Sequence, residues 1–411
     1  MEIRPTLSAL MRSKTGAILV ALQVAISLAI LANTLHIVSV RLEVAARPSG
    51  MAAEADLAYF SVRHLVQGSH QQQLMRQQQE TAALRAVPGV TSVAWTNQMP
   101  MSWSGSSTSV SLDRKQERDS ANVAMFISPD SLVSTLGLKL VEGRDFNSAD
   151  VVEVDGNNSM VPPGTVIITR ALAAKLWPGA ASVVGKTLYY GTGAGAQPSR
   201  VVGVVDMLQT HSAQLDPSGY LSLISPARLT NAFQSSYVVR VQPGQRERVI
   251  KEAQNALRKA SPTPIILDTR TVEQDRDGRY RADRALAWML VTVSALLLLV
   301  TASGIVGMAS LWVTQRRKQI GVRRALGARR IDILRYFIVE NFMITSAGVA
   351  AGVLGAIGLN QLLVAQLSIE RLPPAYLLAG AGLFWALGVA AAYGPAWRAA
   401  SISPATATRT A

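Results

Sequence analysis

Two glycine-rich runs resemble phosphate sites at first reading. Gly179-Ala-Ala-Ser-Val-Val-Gly185-Lys186-Thr187 carries the glycines, the lysine and the hydroxyl of a phosphate-binding loop. Such a loop needs four residues between its glycines, so that consecutive backbone amides wrap one phosphate. Here there are five, and neither a hydrophobic strand ending in an Asp-Glu pair nor a Leu-Ser-Gly-Gly-Gln-like segment accompanies them. Gly191-Thr-Gly193-Ala-Gly195 lacks the strand–helix context of a dinucleotide fingerprint and reads as a loop. His36, His64, His70 and His211 lie far apart with no ligand spacing, and the chain has no cysteine. Disulfide, iron–sulfur and thiolate zinc chemistry are thereby excluded. With no Gly-x-Ser-x-Gly and no histidine placed beside a nucleophile, the expectation is no catalytic residue, no metal and no cofactor on this chain.

The segment richest in information is Gln315-Arg-Arg-Lys318-Gln-Ile320-Gly321-Val-Arg323-Arg324-Ala-Leu326-Gly327-Ala328-Arg329-Arg330. Lipid headgroups would account for its charge. They do not account for Ile320, Val322, Ala325 and Leu326 set among the arginines, nor for Gly327 after them. A short amphipathic helix stopped by a glycine cap fits better, and it could dock into a groove on a cytoplasmic partner. Glu340 stands nearby at the inner end of an apolar stretch. It reads as an interfacial carboxylate near Arg335 or the basic run, with proton transfer as the alternative.

Such a segment must be held by membrane helices. The 411 residues are 16% charged, and mean hydropathy is +0.23. Thr15–Val40, Ala285–Gln315, Asn341–Ile369 and Leu372–Trp397 contain no Asp, Glu, Lys or Arg, and each exceeds the ~20 residues that cross a bilayer as a helix. A soluble enzyme and a disordered chain are excluded. The net charge of +14 is unevenly placed. Residues 39–284 hold 26 basic and 22 acidic residues, and the rest hold 14 and 4. Arg316–Arg335 alone has eight basic residues against Asp332. Basic residues beside spans are a topology signal rather than a nucleic-acid one.

Positive-inside counting puts both termini in the cytoplasm. The expected order is a tail (1–15), a first span (16–38), an outer domain with stalk (39–284), a second span (285–313) and a cytoplasmic coupling loop or helix (314–335). A third span (336–364), a neutral outer turn around Glu370–Pro374, a fourth span (375–394) and a cytoplasmic tail (395–411) follow. Arg4, Arg12 and Lys14 precede the first span, which reads as an uncleaved helix that Val40–Ala46 extends. Thr271–Arg316 has no proline and reads as a helix twice as long as the bilayer core, its polar start forming a stalk.

The outer domain reads as α+β. Leu57–Val62 and Val90–Thr96 read as strands around a helix at Gly68–Ala86. Tyr237–Val241 and Thr263–Asp268 are strands around a helix at Gln245–Ala260. Two βαβ units at the two ends of one region suggest a split porter-like subdomain. The middle, 128–230, reads as a mostly β insertion with strands at Thr165–Thr169 and Arg200–Asp206 and one helix near Arg170–Trp177. Small residues recur at helical spacing in the spans: Ser303 and Gly307; Gly348, Gly352 and Ala356; Gly388 and Ala392. They serve either packing within the bundle or a dimer interface.

Arg317-Lys318-Gln319-Ile320-Gly321-Val322-Arg323-Arg324-Ala325-Leu326-Gly327-Ala328 resembles the signature of the FtsX-like permease family, which includes MacB-type exporters. That family has Glu where Gln319 stands. Pro395-Ala396-Trp397-Arg398-Ala399-Ala400 and Ser403-Pro404-Ala405 are similar to its closing motif. Gly143-Arg144-Asp145-Phe146, Leu172–Gly179, Val184-Gly185-Lys186 and Val201-Val202-Gly203-Val204-Val205 resemble landmarks of its periplasmic core domain.

The resemblance implies the non-enzymatic permease subunit of an ABC transporter in a bacterial inner membrane, with a periplasmic outer domain. ATP and Mg would be held by a cytoplasmic ATPase. Because only residues 1–15 precede the first span, that ATPase is expected on a separate chain. It would contact Lys318, Ile320, Gly321, Arg323, Arg324, Leu326, Gly327 and Ala328. The permease would pair with an identical or a related chain, and by analogy with a periplasmic adaptor. ATP-driven motion would reshape the outer domain to export or extract an antibiotic, peptide or lipid-like substrate. The rival readings are a periplasmic-sensing receptor, an FtsX-like regulator without transport, and a membrane-anchored enzyme.

Overall fold

The computed structural model describes residues 14–66, 68–102, 104–156, 162–212, 217–230, 234–367 and 371–401. Arg4, Arg12, Glu370, Arg409 and the Ser403-Pro404-Ala405 motif lie outside the described residues. The chain divides into an α+β unit, Val44–Ala282, and a helical unit made of the flanking segments.

In chain order the elements are α1 (Lys14–Ala46), β1 (Leu57–His64), α2 (His70–Arg85), β2 (Val90–Trp95), β3 (Ser107–Ser111), β4 (Ala121–Ile127), α3 (Leu132–Leu136), β5 (Leu140–Gly143), β6 (Val152–Asp155), β7 (Thr165–Thr169) and α4 (Arg170–Leu176). Then come β8 (Thr187–Tyr190), β9 (Gln197–Val205), β10 (Ser222–Ser225), β11 (Ala227–Thr230), β12 (Gln234–Val241), α5 (Arg246–Ala260) and β13 (Ile265–Thr271). Four helices close the chain: α6 (Val272–Gln315), α7 (Arg317–Ala325), α8 (Arg330–Leu367) and α9 (Pro374–Ala400).

In the α+β unit, one sheet has the order β13-β1-β12-β2, and every neighbouring pair is antiparallel. β1 and β2 are therefore parallel with β12 between them, and β12 and β13 are parallel with β1 between them. Each βαβ unit is split by a strand of the other. Helix α2 begins at a capping box, with Ser69 Oγ accepting from the Gln72 amide (3.3 Å) and Gln72 Oε1 accepting from the Ser69 amide (2.9 Å). Its buried side chains are Gln73, Gln77, Glu80, Thr81 and Leu84. Helix α5 buries Val249, Ala253 and Leu257, one residue per turn.

A second sheet has the order β5-β9-β7-β10-β4-β3-β8, and β8 returns to pair with β9. Six of its seven strands thus form a closed ring, which removes exposed edges. Both faces are covered: Val166 and Ile168 of β7 join one apolar cluster, and Ile167 between them joins the other. This inserted region starts earlier than residue 128, because β3 and β4 belong to the ring. The polar segment Asp113–Asp119 between them disguises the pair as a loop. The insertion also holds a second short helix, α3, which Ser131 starts as N-cap and Gly137 ends at φ +64°. Tyr280 of α6 is buried in this unit and accepts a 2.9 Å bond from Gln209, and Arg276 grips both oxygens of Glu54.

In the helical unit, α1, α6, α8 and α9 are each long and apolar enough to cross a membrane. Val20, Val24 and Leu28 of α1 meet Ile305 of α6, Ile344 of α8 and Phe384 of α9 in one cluster. Polar pairs link the helices: Ser27 Oγ with Thr301 Oγ1 (2.9 Å), Asn33 to the Ala356 carbonyl (3.0 Å) and Asn341 to the Gly388 carbonyl (2.8 Å). Helix α9 continues through Pro395 to Ala400, past the expected tail boundary at 395. A proline near a helix end removes one hydrogen bond without ending the helix, and here the last turns are buried against α8.

Candidate functional site

The basic run folds into α7 and two turns. Helix α6 ends at Gln315, and Arg316 leaves helical geometry as the N-cap of α7, with φ −101° and ψ 12°. Gly327 stops α7 at φ +96°, a backbone state that a side chain opposes. The Gly327 amide donates to the Arg324 carbonyl (3.2 Å), and the Ala328 amide to the Arg323 carbonyl (3.1 Å). These two bonds are a Schellman closure. The next helix starts at once, as the Asp332 carboxylate accepts the Arg329 amide (2.9 Å).

Helix α7 has two unlike faces. Ile320 and Gly321 are buried, and Ile320 packs with Ile333, Leu334 and Phe337 of α8 and Ala396 and Ala399 of α9. Burying an isoleucine side chain contributes about 1.5–3 kcal/mol. Leu326 is 83% exposed and Val322 55% exposed, with Lys318, Arg323 and Gly327 exposed around them. Arg324 is half-buried and donates to the carbonyl of Ala400 (2.6 Å), the last residue of α9. The Arg323 guanidinium lies 5.1 Å from the Tyr336 ring centre. Ala328 is half-buried against the same apolar cluster.

The structure therefore brings all eight residues into one short segment and divides them. Ile320 and Gly321 hold the segment to α8 and α9, while Lys318, Arg323, Leu326 and Gly327 face outward. This surface carries apolar side chains inside a basic field, the chemistry of a docking site for a partner with an apolar groove rimmed by acidic residues.

Glu340 is 1% exposed, and Arg316 Nη1 lies 2.9 and 2.8 Å from its two oxygens. The carboxylate thus pairs with the basic run through Arg316. The small-residue sets separate. Gly348 and Gly352 are buried against α1, where an added Cβ would meet the carbonyl oxygens of Ala21 and Ala25 at 2.7 and 3.0 Å. Ser303 and Gly307 are exposed, and nothing lies within 4 Å of a Cβ added at Gly307.

The two phosphate look-alikes have other jobs. Lys186 leads into strand β8 rather than a helix, and its amine sits 5.6 Å from the Trp177 ring centre. Gly191–Gly195 forms the turn of the β8–β9 hairpin. Gly143 and Gly203 are paired across β5 and β9, and the Arg144 amide donates to the Val202 carbonyl (3.0 Å), so two of the landmark segments meet. Sequence reasoning missed His64 and Glu80, whose Nε2 and Oε1 stand 3.2 Å apart in the interior. Among the described residues, no three His, Asp or Glu side chains gather as a metal set.

The model of the MacB-like periplasmic core domain matches residues 21–257, and that of the FtsX-like permease C-terminal region matches residues 291–404. The macrolide export ATP-binding/permease protein MacB of Agrobacterium fabrum is 27% identical over 236 residues, 55% of this chain and 34% of that protein. MacB 1/2 of Paracoccus denitrificans is 28% identical over 285 residues, 65% of this chain and 39% of that protein. The pyoverdine export ATP-binding/permease protein PvdT of Pseudomonas savastanoi is 29% identical over 222 residues, 51% of this chain and 33% of that protein. The chain thus spans well under half the length of these curated relatives. With one model covering more than half of the chain and the other its closing helices, this protein belongs to the family that joins a MacB-like periplasmic core domain to an FtsX-like permease domain.

Proposed function

We propose that this chain is the permease component of a MacB/FtsX-type ABC transporter of a bacterial inner membrane. In this reading α7 docks on a cytoplasmic ATPase carried by a separate chain, which holds ATP and Mg. The observation that carries it is the split of α7: an exposed Leu326 and Val322 ringed by Lys318 and Arg323, on a helix whose other side is fastened by Ile320 and Arg324. The fastening of Ile320 and Arg324 to α8 and α9 holds this exposed pair in one place on the surface, as a protein partner requires.

Both termini and α7 lie in the cytoplasm, and Val44–Ala282 is periplasmic, as the basic residues around α7 support. The permease acts as a dimer, of identical or related chains, and an adaptor outside the membrane completes the path. The split βαβ sheet is the porter-like part that changes shape when ATP is hydrolysed. Relatives named for macrolide and pyoverdine export support an amphiphilic antibiotic, peptide or lipid-like cargo.

Affinity purification of the full chain from native membranes in mild detergent, with mass spectrometry and an ATPase assay, tests this. A stoichiometric ATPase, lost in Leu326→Asp and in Gly327→Pro, is the expected result. Recovery without an ATPase overturns the reading in favour of a sensing receptor or a regulator.

A further inference from the structure

Two carboxylates in the first turn of α6 stand two residues apart and meet opposite surroundings. Glu273 is exposed, and Arg246 of α5 reaches both its oxygens at 2.9 Å. Burial opposes its charge, but the Arg246 bond and its backbone neighbours outweigh that and hold the carboxyl below the usual carboxylate range. Asp275 is 5% exposed. Its only ion-pair partner among the described residues is Arg270 of β13, whose Nη1 stops 3.7 Å away. Arg270 is committed elsewhere, with Nε and Nη2 at 2.8 and 2.6 Å from Oδ2 of the exposed Asp268. One cation thus serves two carboxylates, and the buried one has the poorer share.

The other polar groups around Asp275 do not repair this. Tyr59 of β1 is the cross-strand partner of Arg270. Burial pushes its phenol up, a bond with Ser236 of β12 opposes the rise, and the charge of Asp275 adds to it. Along α6, Arg276 holds Glu54 and Arg279 donates to the Ser212 carbonyl, while Asp277 lies about 200° further round the helix. Burial therefore dominates at Asp275: Arg270 opposes it, Asp268 adds to it, and the carboxyl is pushed up to about 6.

We infer that Asp275 is a proton-operated latch between the first turns of α6 and the four-stranded sheet. Charged, it weakens the seam where Val272 and Tyr280 pack with Leu57, Tyr59 and Val238; protonated, it lets that seam close. The sign follows from the raised value. The folded chain keeps this proton at pH values where the unfolded chain has lost it. The latch therefore strengthens as pH falls through 6, and the gain is complete near the ordinary aspartate value. In the periplasmic reading of this unit, acid in the surrounding medium tightens it. The seam itself depends neither on that reading nor on an ATPase.

The test is amide hydrogen exchange of the full chain in detergent, read by mass spectrometry. Native chain and Asp275→Asn are compared at the same pH, so that the intrinsic pH dependence of exchange cancels. At pH 7.5, peptides covering residues 272–280 are expected to exchange roughly tenfold faster in the native chain, and at pH 5 equally fast. Asp268→Asn alters an exposed side chain and frees Arg270 for Asp275. It is expected to move the midpoint of the native pH response down by about one unit. A native-to-variant ratio that is the same at both pH values overturns the inference. So does a midpoint that Asp268→Asn leaves in place, a comparison that decides alone if Asp275→Asn does not fold.

Discussion

The Tyr237 hydroxyl donates a 2.6 Å hydrogen bond to Glu80 inside the interface between α2 and its sheet. Burial, reinforced by the charge of Glu80, pushes the phenol well above its ordinary pKa, so it stays a donor. Removing the donor leaves a buried carboxylate short of a partner. Tyr237→Phe is expected to destabilise the chain by about 1–3 kcal/mol, read as a lower thermal midpoint. An unchanged midpoint would mean that this bond contributes nothing net to stability.

Glu142 predicts an acid-sensitive seam. Its carboxylate accepts the Ser182 hydroxyl and the amides of Val183 and Val184, both at 3.2 Å. The Ser182 bond, helped by the amides and opposed by burial, holds Glu142 below the usual carboxylate range. A lowered folded-state pKa means that its contribution is complete above the ordinary carboxyl value and is lost as pH falls through the folded value. Thermal midpoints from pH 7 to pH 3 should fall more steeply for the native chain than for Glu142→Gln. Parallel curves would reject the assignment.

The bundle glycines predict opposite outcomes. Gly348→Leu drives a side chain into Val24 and the Ala21 carbonyl, and overpacking of this kind costs about 1–3 kcal/mol. Gly307→Leu meets open space and should leave the midpoint unchanged. If Gly307→Leu nonetheless abolished self-association in detergent, Ser303 and Gly307 would mark the seam between two chains.

On α7, Ile320→Asp should lower the thermal midpoint, because it places a carboxylate among Ile333, Phe337 and Ala399. Leu326→Asp, at an 83% exposed position, should leave it unchanged. Gly327→Ala should cost about 1 kcal/mol through its left-handed backbone. If Leu326→Asp destabilised as much as Ile320→Asp, the two faces would not be distinct.

The membrane helices were legible because a bilayer demands long uncharged runs, and such runs have few other meanings. The glycine stop at Gly327 was legible for a similar reason: apolar periodicity ended there. The inward turn of Ile320 was not, since nine residues of helix leave several facings open and α8 and α9 decide among them. Glu340 stood out as a charge in an apolar stretch, but its partner lies 24 residues upstream, across a loop and a helix. The interior face of α2 was hidden by its own chemistry. Gln77 and Glu80 look like solvent residues until Leu229 and Tyr237 supply partners. The closed ring depends on β9 pairing with three strands, and no local pattern announces a third neighbour.

The split sheet also sets a timetable for assembly. Strand β1 leaves the ribosome early, yet its two hydrogen-bonding neighbours are β12 and β13, near the far end of the domain. A chain cut anywhere before residue 265 leaves β1 with at least one bare edge. While the intervening ring is being delivered across the membrane, β1 and α2 must wait unpaired, exposed to proteases and to other waiting strands. Maturation of this domain should therefore be limited by the arrival of its last strand, and it should be the step most dependent on extracytoplasmic chaperones.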